Sequence, residues 1–199
     1  MRRSRSGLFF IVSILFTWLV YGAIQGSAHD FSTPGWAGGE ICLPCHTPHN
    51  ADTTVTDSPL WNHRVTTAVF TLYSSPTLDV SPEQPRGPTR LCLSCHDGTV
   101  ALDSYGGNSG SNYISGDFNL GTDLSNDHPV SILWQHQTNI VSGSCGKCHG
   151  SNPNNPPLPF FDGYVECATC HDVHNGTTYV KLLRKPLQGS EICFQCHGK

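Results

Sequence analysis

Five copies of Cys-x-x-Cys-His use every one of the ten cysteines in this 199-residue chain. The pairs are Cys42 and Cys45, Cys92 and Cys95, Cys145 and Cys148, Cys167 and Cys170, and Cys193 and Cys196. His46, His96, His149, His171 and His197 follow them directly. Cysteines three apart lie on one face of a helical turn, so both thiols reach one edge of a bound group. Two thiols for the vinyl edge of a porphyrin, then an imidazole for its iron, make this the attachment signature of c-type haem. Structural zinc also uses Cys-x-x-Cys, but a tetrahedral site takes four ligands, usually from two motifs. Five motifs do not pair off evenly, and zinc does not require a His after each second Cys. A redox Cys-x-x-Cys is normally solitary, and a disulfide framework has no need of the His. The reading is five covalently attached haems c, each with its own proximal histidine.

The N-terminus carries Arg2, Arg3 and Arg5, then an apolar run from Leu8 to Ile24, then Gln25-Gly26-Ser27-Ala28. A basic head, an apolar centre and a small-residue exit define a secretory signal peptide over 1–28, with the mature chain beginning at His29. An uncleaved anchor is the competing reading, since the run is near the lower length limit for a membrane span. Cleavage leaves no span. Export, to the periplasm or the outer surface, fits haem attachment outside the cytoplasm.

Residues 29–199 give each of five haems roughly 34 residues, too few for a separate apolar core around each. The haems themselves must then form the core. All 15 acidic but only 8 of the 11 basic residues lie beyond Ala28, so the mature chain is at −7. That balance argues against nucleic acid as a partner. The expected fold is mostly irregular coil, with a few short α-helices and minimal β-structure, in one haem-cored multihaem cytochrome c domain over 29–199. Each motif should occupy one or two helical turns. Pro129 should open a helix to about His136, with Asp127 or His128 near its N-cap. Residues 66–73 have strand-like composition. The stretches 81–89, 104–116 and 151–159 read as loops.

Six histidines remain beyond the motifs: His29, His49, His63, His128, His136 and His174. The one methionine, Met1, goes with the signal, so His/Met ligation is ruled out in the mature chain. Five irons and six spare imidazoles predict bis-histidine ligation throughout, and hence low potentials. His49 follows His46 by three residues, and His174 follows His171 by three. Residues so spaced share a helix face, so they cannot grip opposite sides of one iron, and each must serve a different haem. Pro129 holds His128 extended.

Several longer stretches carry a resemblance. They are CLPCHTPHNA (42–51), CLSCHDGTVALD (92–103), NDHPVS (126–131), VECATCHDVHN (165–175) and ICFQCH (192–197). In this order they resemble the exported multihaem cytochromes of metal-reducing bacteria, above all the tetrahaem members that polymerise into extracellular filaments. The resemblance implies sixth ligands at His29, His49, His174 and His128. It also implies a homopolymer in which an axial His of one protomer caps a haem of the next, with His29 the candidate donor. The motif at Cys145–His149 departs from the tetrahaem pattern and reads as an extra haem, with His136 or His63 as its second ligand.

The leading expectation is therefore an electron carrier rather than an enzyme, exchanging electrons with other redox proteins or extracellular acceptors. Two alternatives stand beside it. One is a membrane-anchored periplasmic quinol-oxidising cytochrome. The other is a pentahaem reductase, which needs an iron with an open position.

Overall fold

A computed structural model describes residues 24–78, 80–134, 158–175 and 178–197. Most of the expected signal peptide, His136 and the whole Cys145–His149 motif lie outside the described residues. Regular structure is sparse, as expected: helix α1 (Gly87–His96), a two-residue antiparallel pair of β1 (Ile132–Leu133) with β2 (Tyr164–Val165), and helix α2 (Cys167–Cys170). Short 3-10 turns add Gly116–Phe118, Val180–Leu182, Gln188–Ser190 and Cys193–Gln195. Among the described residues no helix is long and apolar enough to cross a membrane.

Each described motif takes a helical turn. The second sits in α1, the fourth in α2, the fifth in a 3-10 turn. The first closes a single turn through His46 N–H to Cys42 O at 2.9 Å. Helix α1 begins at Gly87, five residues before its motif, because Pro88 occupies the first turn, where its missing N–H costs nothing. Residues 87–89, expected in a loop, are therefore helical. The helix stops at Asp97, whose N–H still reaches Leu93 O at 2.9 Å. Gly98 follows at φ +72°, and a Cβ there would lie 2.6 Å from the Asn119 amide nitrogen, so glycine is required twice over.

The helix expected from Pro129 does not form. Ser131 sits at φ +54°, outside the right-handed region, and the chain leaves as β1. Ser131 N–H donates to Val165 O at 2.8 Å and Trp134 N–H to Gly163 O at 2.7 Å, setting Ile132 opposite Val165. The stretch 66–73 is extended but makes only one isolated parallel bridge, Thr71 with Asp123. Side chains take its other bonds: Thr66 N–H to Ser94 Oγ at 3.0 Å, and a reciprocal pair between the Phe70 backbone and the Gln84 amide, both 2.9 Å.

The apolar core consists of two small clusters among the described residues. Phe70, Leu93 and Leu124 form one, and Leu158, Leu183 and Ile192 the other. Such clusters are small for a chain of this length. Beside these clusters the fold has a buried polar seam around Glu166. Cys167 N–H donates to Thr89 Oγ1 and Glu166 N–H to Thr169 Oγ1, both at 2.9 Å, while Ser131 Oγ donates to Glu166 Oε2 at 3.0 Å. One buried glutamate thus ties α2 to β1, and α1 packs directly against α2. Burial raises the pKa of the Glu166 carboxyl, with hydrogen bonds from neighbouring hydroxyls opposing the shift.

Candidate functional site

The fold brings histidines together in pairs that the sequence keeps far apart. The ring centres of His46 and His174 are 6.0 Å apart, those of His96 and His29 are 6.0 Å apart, and those of His197 and His128 are 6.2 Å apart. Each pair joins one motif histidine to one spare histidine. Two imidazoles bound on opposite sides of one metal, through bonds of about 2.0–2.1 Å, put their ring centres roughly 6 Å apart. The three separations match that figure. Among the described residues no group of three or more His, Cys, Asp or Glu is placed to hold a bare ion, so a tetrahedral site is not what these pairs build.

The motif histidines are oriented by main chain. His46 Nδ1 donates to Pro59 O at 2.7 Å, His96 Nδ1 to Phe118 O at 2.8 Å, and His171 Nδ1 to Lys181 O at 2.8 Å. A carbonyl can only accept, so Nδ1 carries the proton and Nε2 keeps its lone pair for a metal. Every acceptor lies on the segment that returns past the motif, Phe118 and Lys181 within short 3-10 turns. Isolated bridges of His46 with Trp61 and of His171 with Leu183 hold two of these returns, and Leu120 N–H to His96 O at 2.7 Å holds the third. His128 is fixed in the same way, its Nδ1 donating to Pro129 O at 3.0 Å.

The residue after a motif histidine places the spare histidine behind it. Asp172 Oδ1 accepts His174 N–H at 3.0 Å, while Arg184 Nη1 donates to Asp172 Oδ2 at 2.8 Å. Thr47 Oγ1 accepts His49 N–H at 3.4 Å in a weaker form of the same turn. In the second motif Asp97 makes this turn to Thr99 N–H at 2.7 Å, and no histidine stands at that position.

His29 is half-buried, with its Nδ1 buried and lacking a hydrogen-bond partner. Burial first, and then the imidazoles of His96, His171 and His174, push its pKa down to about 4. It is therefore neutral at pH 7, as a metal ligand must be. It stands beside His96 of its own chain. His63 is 2% exposed, with Nδ1 2.9 Å from Arg64 O and Nε2 3.0 Å from Ala101 O. Both ring nitrogens face carbonyls, and Cys95 Sγ lies 3.6 Å from Nε2. No histidine ring stands paired with His49 or His171 among the described residues.

The thiols follow a line. Cys45 acts electrostatically on Cys92 and Cys95, so the first and second motifs are neighbours. The Cys92 and Cys167 side chains are hydrogen-bonded to each other, a contact that, ahead of burial, raises the Cys92 pKa and joins the second motif to the fourth. Cys193 acts in turn on Cys170, joining fourth to fifth. Sequence reading found the cysteines and all three histidine pairs' members, but not the carbonyl acceptors at Pro59, Phe118 and Lys181. Backbone atoms leave no trace in residue identity.

The doubled CXXCH motif family matches residues 158–199, which hold the fourth and fifth motifs. That match marks covalent haem c attachment and points to a multihaem c-type cytochrome, with electron transfer as its general function. No curated protein matches the chain.

Proposed function

We propose that this protein carries electrons along a row of five bis-histidine haems c, outside the cytoplasm, in exchange with other redox proteins or extracellular acceptors. The three histidine pairs at 6.0–6.2 Å carry this reading. His46 with His174, His96 with His29, and His197 with His128 would be the axial ligands, and the neighbouring cysteines would hold the porphyrin edges. Haem c supplies reversible one-electron iron chemistry. The chain's own part is to hold both imidazoles neutral, fix each motif histidine through Nδ1, and set successive attachment sites side by side. Axial histidine pairs without methionine favour low potentials.

A homopolymer is the second element of the proposal. Among the described residues His49, His63 and His171 have no histidine ring against them; His49 is exposed while His63 is buried between carbonyls, so His49 of one protomer would cap the His171 haem of the next. This takes over the role that the resemblance suggested for His29.

Haem content decides the first element. Pyridine haemochrome and intact mass should give five haems on a chain starting at His29, and magnetic spectra should be low-spin. One haem or none, or a ferric high-spin majority, overturns it. Negative-stain microscopy and His49→Ala decide the second. Filaments are expected, reduced to monomers with one high-spin iron by the substitution. Monomers at high concentration with every iron low-spin overturn the polymer.

A further inference from the structure

Large apolar side chains are exposed at eight described positions, and three of them stand at or next to the carbonyl acceptors of the motif histidines. Leu60 is 58% exposed and follows Pro59, whose carbonyl accepts from His46. Phe118 is 65% exposed and itself accepts from His96. Val180 is 67% exposed and precedes Lys181, the acceptor for His171. Each of the three motif histidines with a known acceptor thus has an exposed Leu, Phe or Val within one residue of that acceptor. A carbonyl bonded to Nδ1 sits on the proximal side of whatever metal Nε2 binds, so its segment runs beside the proximal face of the same porphyrin. An apolar side chain there is within reach of that face. Exposing three such groups to water would cost about 1.5–3 kcal/mol each relative to burying them.

We propose that Leu60, Phe118 and Val180 are porphyrin-contact residues, each covering the proximal face of the haem held by His46, His96 and His171 respectively. The inference rests on the haem reading above and goes beyond it by assigning the non-ligand side chains that shield each iron. Shielding matters because solvent exposure is one of the levers on haem potential: water stabilises the more highly charged ferric form. Each side chain would raise the potential of one haem and leave the others unchanged. A chain with near-identical ligand sets gains in this way a means of setting its haems apart.

The holoprotein tests this through redox-monitored NMR of haem methyl resonances. The wild type should show cross-relaxation between the Phe118 ring and the methyls of one haem, a readout that needs no variant. Leu60→Ala, Phe118→Ala and Val180→Ala should each move one haem, and a different one, toward the ferric state by about threefold to tenfold, the latter being about 59 mV for one electron. Phe118→Leu should recover most of its shift. Val69→Ala is the control, since Val69 is 81% exposed and borders no motif acceptor. Haem signals that ignore all three variants, or that respond equally to Val69→Ala, overturn the inference while leaving the cytochrome reading intact. Altered assembly with unmoved haem signals does the same, by making these side chains protomer contacts. A wild type without haem overturns both.

Discussion

His46 and His174 face each other across 6.0 Å although one lies near the start and the other near the end of the described chain. Their ring planes are inclined by only 22°. His174 reaches this place through Asp172, so the imidazole facing one motif's histidine is placed by the residue that follows another motif's histidine. His174→Met should keep that iron six-coordinate and raise its potential, because thioether replaces imidazole. His174→Ala should leave it high-spin and able to bind carbon monoxide. Electron paramagnetic resonance and a redox titration separate the two outcomes, and only one haem should respond.

Asp172 and Arg184 form the brace behind that ligand, both about a quarter exposed, at 2.8 Å. Arg184 also donates from Nε to Ala168 O at 2.8 Å, inside the fourth motif. Asp172→Ala should cost about 1–3 kcal/mol, as expected when partly buried charged donors lose their acceptor. It should also broaden the spectrum of the haem that His174 serves. Denaturant melts give the first number and the low-spin line shape gives the second.

The half-buried imidazole of His29 sets a pH limit. Its pKa in the fold is about 4, below its ordinary value of 6.5. Between these values the unfolded chain binds a proton that the folded chain refuses, so stability rises with pH across the window and is fully present above about 6.5. It is lost as pH falls toward 4, by on the order of 3 kcal/mol. Iron ligation has the same sign, because only the neutral ring binds metal. Melts of the holoprotein at pH 4.5, 5.5 and 7 should show this slope, and His29→Asn should flatten it.

Two positions test the scaffold. Leu93 is 1% exposed in the cluster with Phe70 and Leu124, and Leu93→Ala should cost about 2–5 kcal/mol. Gly98→Ala forces a side chain into a left-handed turn against Asn119, and should destabilise by more than about 1 kcal/mol. Thermal melts compare both with Val69→Ala, which should change little.

The motifs, the spare histidines and the irregular fold were legible because covalent chemistry imposes fixed spacings and Gly, Pro and Asn punctuate the chain. Pairing was legible only as a constraint. The three-residue offsets predict that His49 and His174 serve haems other than their own motif's, and His174 does stand against His46. Which histidine meets which was not readable, since it follows from long-range packing. The helix expected after Pro129 failed for a related reason. Pro129 suits a helix start, but Ser131 is drawn to Val165 and Glu166, partners more than thirty residues away. The seam around Glu166 was missed altogether, because a glutamate ahead of a cysteine carries no sign that it will be buried.

The return segments with their carbonyl acceptors give the motifs at His46 and His96 half of a bis-histidine ligand set. The cysteines, the motif histidine and the acceptor at Pro59 or Phe118 come from one stretch of chain, and the opposing imidazole, His174 or His29, comes from another. Such halves can be copied or inserted as units without redesigning the rest. None of them is complete alone, however: a chain interrupted before His174 would leave the iron at His46 with an open face. Full-length synthesis is thereby an interlock, and fragments of this protein should differ from the whole in kind, exposing reactive iron that the finished chain keeps closed.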